Sequence, residues 1–183
     1  MENGFPPATM AMRLKKVLVV GLGNPLLGDD RVGWSVAEQL TDALPEQVEV
    51  DCLSVGGLSL MERLIGYETV VLVDAITSGQ NPIGAVMRFP LEALPYRAAD
   101  HISSAHDMTL QTAIKFGRTL GAQLPDKITI VAIESTSSFD FSDELSPLVA
   151  AAIPKAIQAV IEVLAQEGCL PTPDKPIMEE ERL

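Results

Sequence analysis

Apolar residues in this chain fall into two kinds of run. Short continuous runs rich in Val and Ile stand at Lys16–Gly21, Val48–Leu53, Thr69–Val73, Ala85–Phe89 and Lys127–Ile133. Each is strand-sized and bounded by Gly, Pro or an acid, which predicts buried β-strands. Between them the spacing lengthens to that of a helix. Val32, Val36, Ala37 and Leu40 share one face of a predicted helix over Asp30–Leu44. Leu58–Tyr67 predicts a short helix behind the Gly56-Gly57 turn, and Asp107–Leu120 predicts another, with Met108, Leu110, Ala113, Ile114 and Phe116 apolar. Ser146–Gln166 reads as a long helix capped by Ser146, with Pro147 in its first turn. Pro154 inside that run predicts either a kink or a helix that starts later.

Strand and helix alternate along almost the whole chain, which predicts an α/β fold. The expected architecture is a three-layer sandwich, a mostly parallel, twisted sheet of about five strands with helices on both faces. Residues 1–14 read as a flexible N-terminal tail, 15–170 as a single domain, and 171–183 as an acidic, disordered or loosely docked tail. A length of 183 residues suits one domain. No stretch reads as a secretory signal, and none reads as an apolar span of the ~18 residues a membrane requires.

Composition narrows the partners. Asp and Glu number 25 against 13 Lys and Arg, a net charge of −12, so the basic footprint needed for nucleic acid or an anionic membrane is missing. Aromatics are only 4%, which predicts an aliphatic core. Cys52 and Cys169 form no C-x-x-C pair and read as free thiols of a cytosolic protein.

Ligands of such sheets bind at the carboxyl ends of the strands. Polar residues expected there are Asn24, Asp29 and Asp30 after the first strand, and Asp51, Asp74 and Glu134 at the ends of the second, third and fifth. His101 and His106 precede the third helix. The stretch VLVVGLGNPLLGDDRVGW, Val17–Trp34, imitates a dinucleotide fingerprint through Gly21, Gly23 and the later Asp51. Leu26 stands where the third glycine belongs, and two aspartates occupy the helix N-terminus where a pyrophosphate would sit. No G-K-[ST] follows, so a P-loop is excluded. Helix capping accounts well for one of the aspartates and less well for both. Asp74 follows Val70-Val71-Leu72-Val73, a stretch expected to be buried on both faces, so its carboxylate needs amides, a proton or a cation. His101 reads as exposed loop, and His106 alone would read as a cap or surface residue. Together Asp30, Asp74 and His106 supply two oxygens and an imidazole from three loops on one edge. That set suits a divalent ion such as Ni²⁺ or Zn²⁺ with open positions left for water or substrate.

The chain resembles the hydrogenase maturation endopeptidases. The resemblance rests on Gly21-Leu22-Gly23-Asn24-Pro25-Leu26-Leu27-Gly28-Asp29-Asp30 with Val32-Gly33, on Val73-Asp74-Ala75, and on Ser104-Ala105-His106 before a helix. It extends from about Val17 to Leu164. It implies an α/β sandwich and a cytoplasmic peptidase. The implied activity removes a C-terminal extension from the large-subunit precursor of [NiFe] hydrogenase after nickel insertion. It also implies that Asp30, Asp74 and His106 are the catalytic and metal-contacting trio, reading Ni²⁺ carried by the substrate, for which Zn²⁺ or Cd²⁺ would substitute in a crystal. No Ser, Cys or Thr nucleophile belongs to the pattern. Gly21, Gly23, Asn24 and Asp29 are expected to position the loop and substrate. The chain departs from the family at Arg31, where glycine is common, and at Asp51-Cys52-Leu53-Ser54, where glycines are usual. Two other readings stay open: a nucleotide-binding α/β enzyme built on the glycine loop, and a nickel chaperone without catalysis.

Overall fold

In the computed structural model, residues 16–94, 108–136 and 141–170 are described. The strands are β1 (Val17–Leu22), β2 (Val48–Leu53), β3 (Thr69–Ile76), β4 (Val86–Pro90) and β5 (Lys127–Glu134). The helices are α1 (Val32–Thr41), α2 (Gly57–Arg63), α3 (Leu110–Thr119), α4 (Pro147–Ala150) and α5 (Ile153–Gln166). Strand order is β2-β1-β3-β5-β4, with β4 alone antiparallel. The chain forms the expected mostly parallel sheet, and the crossover helices cover both of its faces.

Side-chain alternation along β1 and β3 divides the core. Leu18, Val20, Leu22, Val70 and Leu72 join Leu60, Leu64, Leu110 and Ile114 under α2 and α3. Val17, Val19, Val71 and Val73 join Val36, Leu40, Val160 and Leu164 under α1 and α5. Every residue of β1 and of β3 is buried, which is why these strands read as unbroken apolar runs.

Several boundaries differ from expectation. Asp30 does not open α1; it lies in a 3-10 turn, Gly28–Arg31, and the α-helix begins two residues later. Asp51 and Asp74 do not end their strands. β2 ends at Leu53, as its apolar run predicts, with Asp51 two residues inside it, and β3 runs on past Asp74 to Ile76. The long C-terminal helix is two helices. α4 ends at Ala150, and α5 begins at Ile153 with Pro154 in its first turn, where a missing N–H costs nothing. By length and composition alone Pro147–Gln166 would cross a membrane, contrary to the sequence reading. In the fold its apolar side is core, because Val149, Ala156, Val160, Val163 and Leu164 are buried against the sheet.

A glycine contact sets the height of α1 above the sheet. A Cβ on Gly33 would lie 2.2 Å from the Leu22 carbonyl oxygen and 2.4 Å from that of Val73. Only a residue without a side chain lets the start of α1 rest on the carboxyl ends of β1 and β3. Gly21 meets Gly33 from the strand side. The 3-10 turn that precedes α1 is thereby brought against β3.

The free edge at β2 is closed by side chains. Arg63 of α2 donates to Asp51 at 2.6 Å and to Glu49, lies over the Tyr67 ring, and donates to the Tyr67 hydroxyl. The Tyr67 hydroxyl in turn donates to Glu49 and, with Arg63, holds that carboxyl below its usual range. Charges on an edge strand discourage pairing with another chain.

Candidate active site

The glycine loop is organised around its own polar groups. Gly23 has φ +132°, and a Cβ there would lie 1.8 Å from the Asp30 carbonyl oxygen, so the turn folds directly over this residue. The Asn24 side-chain oxygen accepts from the Leu26 N–H at 3.0 Å, an Asx turn. The Asn24 N–H donates to Asp30 Oδ2 at 2.7 Å. Ser54, just past the end of β2, donates to the Gly23 carbonyl at 2.7 Å. The amide that would greet a phosphate is thus already taken by a carboxylate of the same loop.

The two adjacent acids do different work. Asp30 is half-buried and closes the loop. Asp29 is 6% exposed and points elsewhere, accepting from the Ser146 N–H at 2.7 Å and from the Ser146 hydroxyl at 2.9 Å. Neither caps α1, whose N-cap, Arg31, makes no side-chain capping bond. Arg31, the departure from the family pattern, reaches the Asp143 carbonyl at 2.6 Å and lies 4.0 Å from Glu38.

Asp74 is fully buried. It lies in β3 opposite Ala132 of β5, and by alternation its side chain addresses the layer that contains α2 and α3. The turn bearing Asp30 packs against this same strand, so the structure brings the two segments together at the carboxyl end of the sheet. His101 and His106 lie outside the described residues. Among the described residues no three His, Cys, Asp or Glu side chains group as a metal site. Of the expected trio the structure therefore places two members, each from its own strand-end segment.

The remaining acids named from the sequence are structural. Glu134, also fully buried, accepts from the Ser78 hydroxyl at 2.6 Å and the Gly79 N–H at 2.8 Å, pinning the start of the β3–β4 connection. Asp51 binds Arg63 on the sheet edge and does not face the glycine loop's ligand side as a ribose-binding acid would. Ser146 was missed as a site-supporting residue. Its position before Pro147 reads as an ordinary N-cap, and its partner is 117 positions away.

Both cysteines are free thiols. Burial, then the Glu38 and Asp51 carboxylates, push the Cys52 thiol from 9.0 up to about 11. A nucleophile at neutral pH needs the opposite shift. At pH 8 its thiolate should be roughly 100-fold scarcer than that of an ordinary thiol, with labelling accelerating about tenfold per pH unit toward 11. Iodoacetamide labelling followed by peptide mass spectrometry checks this; rapid labelling of Cys52 at pH 7.5 would contradict it.

The chain and its fold have counterparts among known proteins. A model of the family described as hydrogenase maturation protease matches residues 13–163. The hydrogenase 2 maturation protease of Escherichia coli (strain K12) is 30% identical over 155 residues, covering 84% of this chain and 93% of the relative. The solved hydrogenase maturating endopeptidase HybD from E. coli superimposes with a TM-score of 0.67 at 28% identity, covering 84% of this chain and 94% of that one. The [NiFe] hydrogenase maturation protease HybD from Thermococcus kodakarensis gives a TM-score of 0.58 at 27% identity, covering 81% and 98%. A doubly covered parallel sheet with an acid-bearing glycine loop at its carboxyl edge is here the scaffold of a peptidase. The chain belongs to the hydrogenase maturation protease family.

Proposed function

We propose that this peptidase cuts a C-terminal extension from the large-subunit precursor of a [NiFe] hydrogenase, in the cytoplasm, once nickel has been inserted. The observation that carries the reading is the packing of the Asp30 turn against β3, the strand that carries buried Asp74, in a chain whose family match spans residues 13–163. In this reading Asp30, Asp74 and His106 grip the nickel that the precursor brings with it. A carboxylate in a fully dry position favours a cation over any anion, and burial strengthens the attraction. Support for the third ligand comes from chain order: in the sequence His106 is three residues before Thr109, the N-cap of α3, and α3 belongs to the layer that Asp74 addresses. Thr109 fixes that helix start by accepting from the Thr112 N–H at 3.3 Å.

The chemistry follows from this placement. Gripping the nickel converts recognition of a finished metal centre into positioning of the adjacent peptide bond at the rim. Nickel, as part of the substrate, polarises the scissile carbonyl. A carboxylate oxygen of the pair turned away from the nickel takes the proton from the attacking water and passes it to the leaving nitrogen as the C–N bond breaks.

A nucleotide-binding reading is disfavoured by the Asn24 N–H, which is taken by Asp30. A nickel chaperone would use the same trio but leave the partner's peptide chain whole. The two are separated by mixing nickel-loaded precursor with one-twentieth as much of this protein and following intact mass. The proposal expects most precursors to lose a C-terminal fragment, with the released peptide recovered. Nickel leaving an uncut precursor in proportion to added protein would overturn it.

A further inference from the structure

The segment after β5 returns to the glycine loop and is fastened to it at several points. The Gly28 N–H donates to the Ser142 carbonyl at 2.7 Å, and the Ser142 N–H donates to the Leu26 carbonyl at 3.1 Å. Arg31 holds the Asp143 carbonyl at 2.6 Å. Ser146 adds two hydrogen bonds to buried Asp29, at 2.7 and 2.9 Å. Asp29 and Ser146 are both residue types that cap helices. Ser146 even occupies the N-cap position of α4, yet its side chain makes no capping bond there. Each is diverted from its local use to the other.

We infer that Ser146, acting through Asp29, is a positioning residue for Asp30: the clamp holds the 3-10 turn from outside while the Asn24 N–H holds it from inside. The inference rests on the reading that Asp30 meets the substrate. Asp29 and Asp30 are consecutive in a four-residue turn, so the carboxylate that faces the substrate cannot keep its place if the clamped one swings. A misplacement of about 1 Å at a reacting group costs on the order of 100-fold in rate. The glycine loop permits this turn; the clamp selects its position.

The test uses the full chain and nickel-loaded large-subunit precursor, with kcat and KM measured separately. Ser146→Ala removes one of the two bonds and is expected to lower kcat about tenfold, with KM within about twofold. Ser146→Thr keeps the hydroxyl and restores kcat to within about threefold of the parent. Asp29→Ala lowers kcat about 100-fold, and the Asp29→Ala, Ser146→Ala double variant falls no further, because the two residues act as one unit. Parental kcat in Ser146→Ala, or an equal loss in Ser146→Thr, overturns the clamp. Asp30→Asn serves as the control: full activity in that variant would instead overturn the site reading beneath it, whatever Ser146 does.

Discussion

Asp74→Asn is expected to leave nickel-loaded precursor uncut, with turnover reduced on the order of 1,000-fold or more. The substitution keeps the shape of the side chain, removes its charge and exchanges one accepting oxygen for a donating amide. Asp74 is fully buried in β3 and Asn matches it in size, so the protein should remain folded. Residues kept for function are seldom the most stable choice at their positions, and the unfolding free energy is expected to shift by no more than about 1 kcal/mol. Circular dichroism and denaturant unfolding establish the fold, and gel mobility of the precursor reports the cut. An Asp74→Asn protein that processes at the parental rate would remove Asp74 from the site.

Gly23→Ala should be nearly as damaging by a different route. The residue has φ +132°, and its new Cβ would sit 1.8 Å from the Asp30 carbonyl oxygen. Backbone strain and steric overlap each contribute about 1–3 kcal/mol, so a loss of about 2–6 kcal/mol in unfolding free energy is expected. Any relief must push the turn outward and take Asp30 with it. Processing should therefore fall by about 100-fold even at temperatures where the variant is fully folded. Unchanged stability in Gly23→Ala would show that the close approach of turn and loop is absent in solution.

Much of this architecture was legible because the strands at its centre are buried on both faces. The Val and Leu runs of β1 and β3 have no polar face to confuse with a helix, and their pairing in parallel follows from the helical spacing between them. The edge strand β2 was legible in extent, but the role of Asp51 was not. A polar residue on an edge strand looks like a strand terminus unless its partner, Arg63 of α2, is known. The start of α1 was misplaced for a related reason. Two acids before an apolar stripe signal an N-cap, but Asp29 is engaged by Ser146, 117 residues on, and no local pattern encodes that bond. Pro154 illustrates the opposite case, where a local rule held. Proline tolerates the first turn of a helix, and α5 begins one residue before it. The placement of Asp30 and Asp74 toward the carboxyl end of the sheet was legible from the loop motif and from an acid after a dry strand. The burial of Asp74 within the strand, two residues short of its end, emerges only from the register of β3 with β5.

The electrostatic character of the loop underlies all of these expectations. A glycine loop after a strand ordinarily gathers anions at its amides. Here Asp30 occupies one of those amides and buried Asp74 lies in the adjacent strand, and on the proposed reading this pair of acids favours a cation. The most direct measurement is paired: the same precursor, prepared with and without nickel, is incubated with the full-length protein and its intact mass is recorded. A rim built to read the metal predicts that only the nickel-loaded form is shortened at its C-terminus. Equal shortening of both forms, or of neither, would contradict it.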